Sequence, residues 1–192
     1  MKKPSNYDNT SAGGFTPIAL GGHLCTIKEV EETQSKNGRP MIVVYLDTSE
    51  DDTQPFYFSK AFADDIRPDK KWPIAGRKYI LTEDKDGNCS RSFKQFTTAF
   101  EKSNNAEVVW GDAFCSQFSG KAIGAVYGEV ENEYNGKVTM RHELRWFCDI
   151  DKASEADIPS TQYLNGTSSA PVRPGAQTDV FAPVVDGDLP FN

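Results

Sequence analysis

Two β-prone runs joined by an Asn-Gly dipeptide constrain this chain more than any other feature. His23-Leu-Cys-Thr-Ile-Lys-Glu-Val30 alternates apolar and polar residues, the period of a strand with one face in a core. Met41-Ile-Val-Val-Tyr-Leu46 is β-branched and apolar on both faces, which predicts a strand central in its sheet. Between them, Ser35-Lys-Asn-Gly-Arg-Pro40 supplies the turn, because Asn and Gly accept the positive φ of a tight hairpin. A chain that opens this way is committed to antiparallel pairing.

The remaining elements follow from period and punctuation. Phe56-Tyr-Phe-Ser-Lys60 predicts a third strand, whereas residues 61–90 resist assignment. Phe93, Phe96 and Phe100 fall at helical i, i+3, i+7 spacing, which predicts an amphipathic helix stopped at Ser103-Asn-Asn105. Ala122-Ile-Gly-Ala-Val-Tyr-Gly-Glu-Val130 is a glycine-interrupted strand, the mark of a bulge or tight bend. Asn135-Gly136 then turns the chain into a last strand, Lys137–Ile150. There Val138, Met140, Leu144, Trp146 and Cys148 form an apolar face, opposite Lys137, Thr139, Arg141, Glu143 and Arg145. Three strands, a helix and two strands is the order of an oligonucleotide-binding (OB) barrel, so the fold expected is mainly β: an OB-fold-like five-stranded barrel with one helix between strands 3 and 4. Other small barrels and α+β sheets share that order.

A length of 192 residues accommodates one such domain and a tail. The division expected is a loose arm at 1–20, the domain at 21–152, a disordered Ser/Thr/Pro/Gly/Ala-rich linker at 153–185 and a tip at 186–192. No apolar run reaches the roughly 20 residues of a membrane span, and no apolar stretch follows Lys2-Lys3, so a cytoplasmic protein is expected. Cys25, Cys89, Cys115 and Cys148 are widely spaced, which argues for buried reduced thiols over a zinc site. The net charge of −7 is uneven: residues 151–192 hold −4 and the first 150 hold −3. Such a domain still binds DNA if its basic residues share a face.

Single-strand binders need cations along the phosphates and aromatic rings under the bases. Arg67–Tyr79 concentrates Arg67, Lys70, Lys71, Trp72, Arg77, Lys78 and Tyr79 in one stretch; the alternative is that Trp72 and Tyr79 plug the core and the lysines are solvated. Lys137, Arg141 and Arg145 recur every four residues, about 13 Å apart at 3.3 Å per residue, along one strand face interrupted by Glu143. Tyr134 stands at the second hairpin tip and Lys36 and Arg39 flank the first. Lys60, Arg91 and Lys94 are weaker candidates, and the phenylalanine stripe reads as core. Catalysis is not indicated. His23 and His142 read as structural histidines and Glu50-Asp-Asp52 as a charged turn, and no phosphate loop, nucleophile elbow or metal-ligand cluster occurs, so no cofactor is expected.

The chain ends in Asp186-Gly-Asp-Leu-Pro-Phe-Asn192, apolar residues that a polar tail has no core to bury. This segment resembles the acidic tip of bacterial-type single-stranded DNA-binding proteins, which recruits replication, recombination and repair enzymes. The resemblance implies that Asp186 and Asp188 pair with the basic rim of a partner pocket, with Leu189, Pro190 and Phe191 as the apolar element. The family tip ends on Phe, whereas here Asn192 displaces the terminal carboxylate by one residue. Gly21–Glu31, Ser35–Met41, Arg91–Asn104 and Gly120–Glu129 are similar to a family encoded in phage replication and recombination modules. Together these imply a phage-encoded protein of the host cytoplasm that coats single-stranded DNA, in some cases as an oligomer, and recruits a helicase, recombinase, nuclease or primase. The rival expectation is an adaptor or inhibitor that docks on such enzymes without touching DNA.

Overall fold

The computed structural model describes residues 16–164, together with Lys3. The expected linker beyond Leu164 and the tip residues Asp186, Asp188, Leu189, Pro190 and Phe191 lie outside the described residues.

Five strands form one antiparallel sheet: β1 (Gly21–Gln34), β2 (Pro40–Thr48), β3 (Arg77–Leu81), β4 (Ala122–Tyr134) and β5 (Lys137–Cys148), in the spatial order β3-β2-β1-β4-β5. Two helices accompany them, α1 (Tyr57–Asp64) between β2 and β3 and α2 (Arg91–Asn104) between β3 and β4. β1 carries the architecture, because its first half pairs with β4 and its second half with β2, the two pairings overlapping at Cys25 and Thr26. A register shift between Ile27 and Glu29 marks where it parts from β4. His23, Cys25, Ile27 and Val30 point inward, joined by Ile42, Val44, Leu46, Ile80, Ile123, Ala125, Tyr127, Leu144 and Phe147. The stripe Phe93, Phe96 and Phe100 of α2 seals one end of this core, with Phe96 meeting Phe118 and Phe147 at 5.1 Å.

Two expectations need correction. Phe56–Lys60 is not a strand: it begins α1. Asp47, buried at the end of β2, accepts the backbone N–H of Phe58 and of Ser59 and the Ser59 hydroxyl. A carboxylate supplied from β2 thus satisfies the free amides of the first turn, which a sequence-local reading of alternating aromatics misses. The third strand is instead Arg77–Leu81, at the end of the basic stretch. Also, the polar and apolar faces of β5 do not alternate throughout. Tyr127 pairs with Leu144 and Val126 with Trp146, leaving Arg145 as the extra residue of a bulge. The bulge brings Leu144 and Phe147 to the same inner side, and it falls between Gly124 and Gly128 of the paired strand, where glycines suggested an irregularity.

The sheet is unclosed, since β3 and β5 share no backbone pairing. They nonetheless approach each other: the Lys78 ammonium of β3 donates to the Leu144 carbonyl of β5 at 2.7 Å. Tyr127 also reaches across, from β4 to the Ala75 carbonyl just before β3, at 3.0 Å. The segment Thr16–Ala19 runs over the other end of the core. Ile18 is buried, its carbonyl contacts His142 Nδ1, and Tyr57 and Gln54 donate to the carbonyls of Thr16 and Pro17. The loose arm expected to extend to residue 20 is therefore anchored from Thr16 onward. A 3-10 turn, Ile150–Glu155, lies on the outside of β1, where Gly22 leaves no room for a side chain: a Cβ there would stand 1.7 Å from the Ala153 carbonyl oxygen.

Burial brings the Lys78 amine down to about 8 from an ordinary 10.5, with Glu143 opposing the shift and Arg145 adding to it. Between those pH values the unfolded chain binds more protons at Lys78 than the folded chain, so this group makes the fold more stable as pH rises. Cys148 and Tyr45, pushed up to about 11 and about 12, act in the opposite direction, so a difference measurement is needed. In urea titrations from pH 7.5 to 10.5, the unfolding free energy of Lys78→Met is expected to fall relative to wild type by about 1–3 kcal/mol. A pH-independent difference would contradict the buried ammonium.

Candidate nucleic-acid interface

Register sorts the side chains into an inner and an outer face. On β2 and β3, Val44 and Lys78 pair facing inward, as do Ile42 and Ile80. Tyr45 and Arg77, Val43 and Tyr79, and Met41 and Leu81 therefore pair on the outer face. Met41 and Val43 form an apolar floor there, almost fully covered, while Tyr45, Arg77 and Tyr79 remain half-exposed. Glu31 of β1 accepts the Tyr45 hydroxyl at 2.9 Å. Burial first, and then this carboxylate, push the phenol up to about 12. The Arg77 Nε is buried without a hydrogen-bond partner.

Beyond Tyr127, β4 leaves β1 and continues with β5 as a projecting hairpin. Its two faces differ chemically. Val130, Asn132 and Tyr134 pair with Arg141, Thr139 and Lys137, whereas Glu129, Glu131 and Glu133 pair with His142, Met140 and Val138. One face thus carries the cations and the tyrosine, the other three carboxylates. Tyr134 is 69 % exposed, next to a turn in which Asn135 and Gly136 both have positive φ, as an Asn-Gly hairpin requires. The far edge of β4 is lined by Thr161–Leu164: Gln162 exchanges backbone hydrogen bonds with Glu129 and Glu131. The carboxylates of Glu129 and Glu131 accept from the Thr161 hydroxyl and the Leu164 amide.

The residues singled out from sequence fall into three groups. Arg77 lies on the outer face of β3, and Arg141, Lys137 and Tyr134 lie together on one face of the β4–β5 hairpin. Arg145 belongs to the same region but is the half-buried bulge residue, directed toward the Ser160 carbonyl at 3.5 Å. Lys36 and Arg39 stand at the β1–β2 turn, where Arg39 donates to the Glu83 carbonyl at 3.1 Å. That turn is at the opposite end of β1 from the β4–β5 tip, so the two hairpins do not form one patch. The third group, Lys71 apart, makes contacts within the fold. Lys78 faces inward, and Trp72 donates to the Leu46 carbonyl at 3.0 Å while packing on Phe62 at 5.6 Å. Lys70 donates to the Ala63 carbonyl and lies 5.7 Å over the Phe62 ring, and Lys71 beside it is exposed. Of the alternatives for this stretch, the geometry of Trp72 is that of a core plug.

Sequence reasoning missed Tyr45, hidden in a run that looked wholly buried, and held Tyr79 only as a member of the basic stretch with a core plug as its alternative. A two-residue period centred on the cation Arg77 was the available signal.

The remaining polar groups have structural roles. His23 contacts Asp52 at 2.9 Å and the Ala19 carbonyl at 3.1 Å. Burial pushes the Asp52 carboxyl up, but the hydrogen bonds from His23 and from the Gln54 and Leu24 amides outweigh it and hold the group low. All four cysteines are unpaired, but only Cys25 is buried; Cys115 and Cys148 are half-buried and Cys89 is exposed. Among the described residues no His, Cys, Asp and Glu cluster is arranged to hold a metal ion, and no helix is long and apolar enough to cross a membrane.

These placements separate supporting aromatics from available ones. Trp72→Ala is expected to lower the unfolding free energy by roughly 2–4 kcal/mol in urea titrations, through lost packing and an orphaned carbonyl. Tyr134→Ala is expected to change it by less than about 0.5 kcal/mol. No protein-family model matches this chain, and no curated protein matches its sequence.

Proposed function

We propose that this chain is a single-stranded DNA-binding protein of OB type, belonging to a phage replication and recombination module, that recruits partner enzymes through its C-terminal tip. The observation that carries the reading is the outer face of β2 and β3. Tyr45 and Tyr79 neighbour Arg77 there, and a second group of two cations and a ring, Arg141, Lys137 and Tyr134, lies on one face of the hairpin. Rings at intervals with cations between them suit a strand whose bases are unstacked and whose phosphates follow the surface. The OB reading is supported by the strand order, by α2 lying between β3 and β4, and by the approach of β3 to β5. The acidic residues Glu31 and Glu143 limit how closely phosphates approach, so binding relies on stacking more than on charge.

The partner-recruiting half rests on sequence alone, with Asp186 and Asp188 at the rim and Leu189, Pro190 and Phe191 in the apolar pocket of a helicase, recombinase, nuclease or primase. The net charge of −7 favours the rival reading, an adaptor that leaves DNA alone. Salt distinguishes them, because phosphate contacts release counterions and weaken steeply as salt rises.

Anisotropy of a labelled oligo-dT strand, titrated at low and moderate salt, tests the reading. Wild type is expected to bind in a salt-sensitive manner and to ignore duplex competitor. Tyr79→Ala is expected to weaken binding by about 5- to 100-fold, the value of one lost stack, and Lys137→Ala to weaken it less and to flatten the salt slope. No affinity at any salt would turn the reading to the adaptor. Removing residues 186–192 is expected to abolish capture of the partner enzyme while leaving DNA affinity intact or slightly higher; capture that survives would remove the tip from the account.

A further inference from the structure

The loop between α2 and β4 holds a tryptophan outside the core. Trp110 is 66 % exposed, yet one face of its ring lies on Phe114, with centroids 5.3 Å apart and planes 15° from parallel. Phe93 meets it at 6.1 Å in an edge arrangement, and both phenylalanines are buried. The mount is rigid. The Gln117 side-chain amide accepts from the Val109 N–H and donates to the Val109 carbonyl, both at 2.7 Å, and Glu101 accepts the Val108 N–H at 3.3 Å. An indole fixed with one face on the core and the other in water forgoes hydrophobic stabilisation that an inward rotamer would recover.

Its position relates it to the tyrosines. α2 starts at the end of β3, where Ser90 donates from its amide to the Thr82 carbonyl at 2.9 Å and from its hydroxyl to that of Leu81. Phe93, in the first turn of α2, carries Trp110, so the indole stands past the C-terminal end of β3. Tyr79 is two residues short of that end. We infer that Trp110 is a further stacking platform, taking an unstacked base of a strand that continues off the sheet face beyond β3. This rests on the single-strand-binding reading and extends it to a site on a different element. Glu107 and Asp112 flank Trp110 in the loop, so the ring face and not local charge makes the contact, and its contribution is insensitive to salt.

The test compares short oligo-dT, sufficient to cover the sheet face, with oligo-dT several nucleotides longer, using the full chain. Trp110→Ala is expected to weaken binding of the long strand by about 5- to 100-fold, at low and high salt alike, and to leave the short strand unaffected. Trp110→Phe keeps a ring on Phe114 and is expected to restore most of the affinity. It is also expected to abolish the extra quenching of tryptophan emission that the long strand causes over the short one in wild type. Wild type that binds both strands, with Trp110→Ala unchanged at every length or the extra quenching retained in Trp110→Phe, would overturn the inference and leave the sheet-face reading standing. Wild type that binds neither strand would overturn both.

Discussion

Everything in this fold depends on β1 serving two partners. Its inner residues His23, Cys25, Ile27 and Val30 are buried along the two pairings in turn. At the shift between Ile27 and Glu29 it leaves β4 and continues with β2 alone. This lets a five-stranded sheet curl until its edges approach. The edges share no backbone pairing, and a lysine completes the approach instead. Lys78 is a costly choice, because an ammonium taken out of water loses solvation that one carbonyl only partly replaces. Its consequence is geometric: β3 is tied to β5, and the outer face of β2 and β3 is held as one surface.

That surface is where fold and proposed function meet. Tyr45 and Tyr79 remain half-exposed beside the covered Met41 and Val43, and Arg77 pairs with Tyr45 two residues from Tyr79 on the same face. The projecting hairpin divides its chemistry by the two-residue period, with cations and Tyr134 on one face and carboxylates on the other. Thr161–Leu164 occupies the outer edge of β4, and its hydroxyl and amide engage Glu129 and Glu131. Two of the three carboxylates are thereby engaged within the protein, and Lys137, Arg141 and Tyr134 are left toward solvent.

Much of the fold was legible in the sequence where the period was local. The β1–β2 hairpin, the phenylalanine stripe of α2 and the Asn135-Gly136 turn follow from neighbours a few residues apart. The errors arose where a distant group decided the outcome. Phe56–Lys60 alternates like a strand, but Asp47 caps it into a helix. Arg77–Leu81 was concealed by the prolines and lysines before it, and the Arg145 bulge reverses the inner face of β5 halfway along. The candidate site was less legible for the same reason. Cations were visible as composition, but whether Lys78 pointed in or Tyr45 pointed out depended on register with a partner strand.

Backbone amide chemical-shift mapping of the isotope-labelled protein, titrated with unlabelled oligo-dT, tests the central claim most directly. The account predicts shifts concentrated at Tyr45, Arg77, Tyr79 and the Tyr134–Arg141 side of the hairpin, with the Ile150–Glu155 turn on the outside of β1 unaffected. Shifts confined to that turn or to the β1–β2 hairpin, or none at saturating strand, would contradict it.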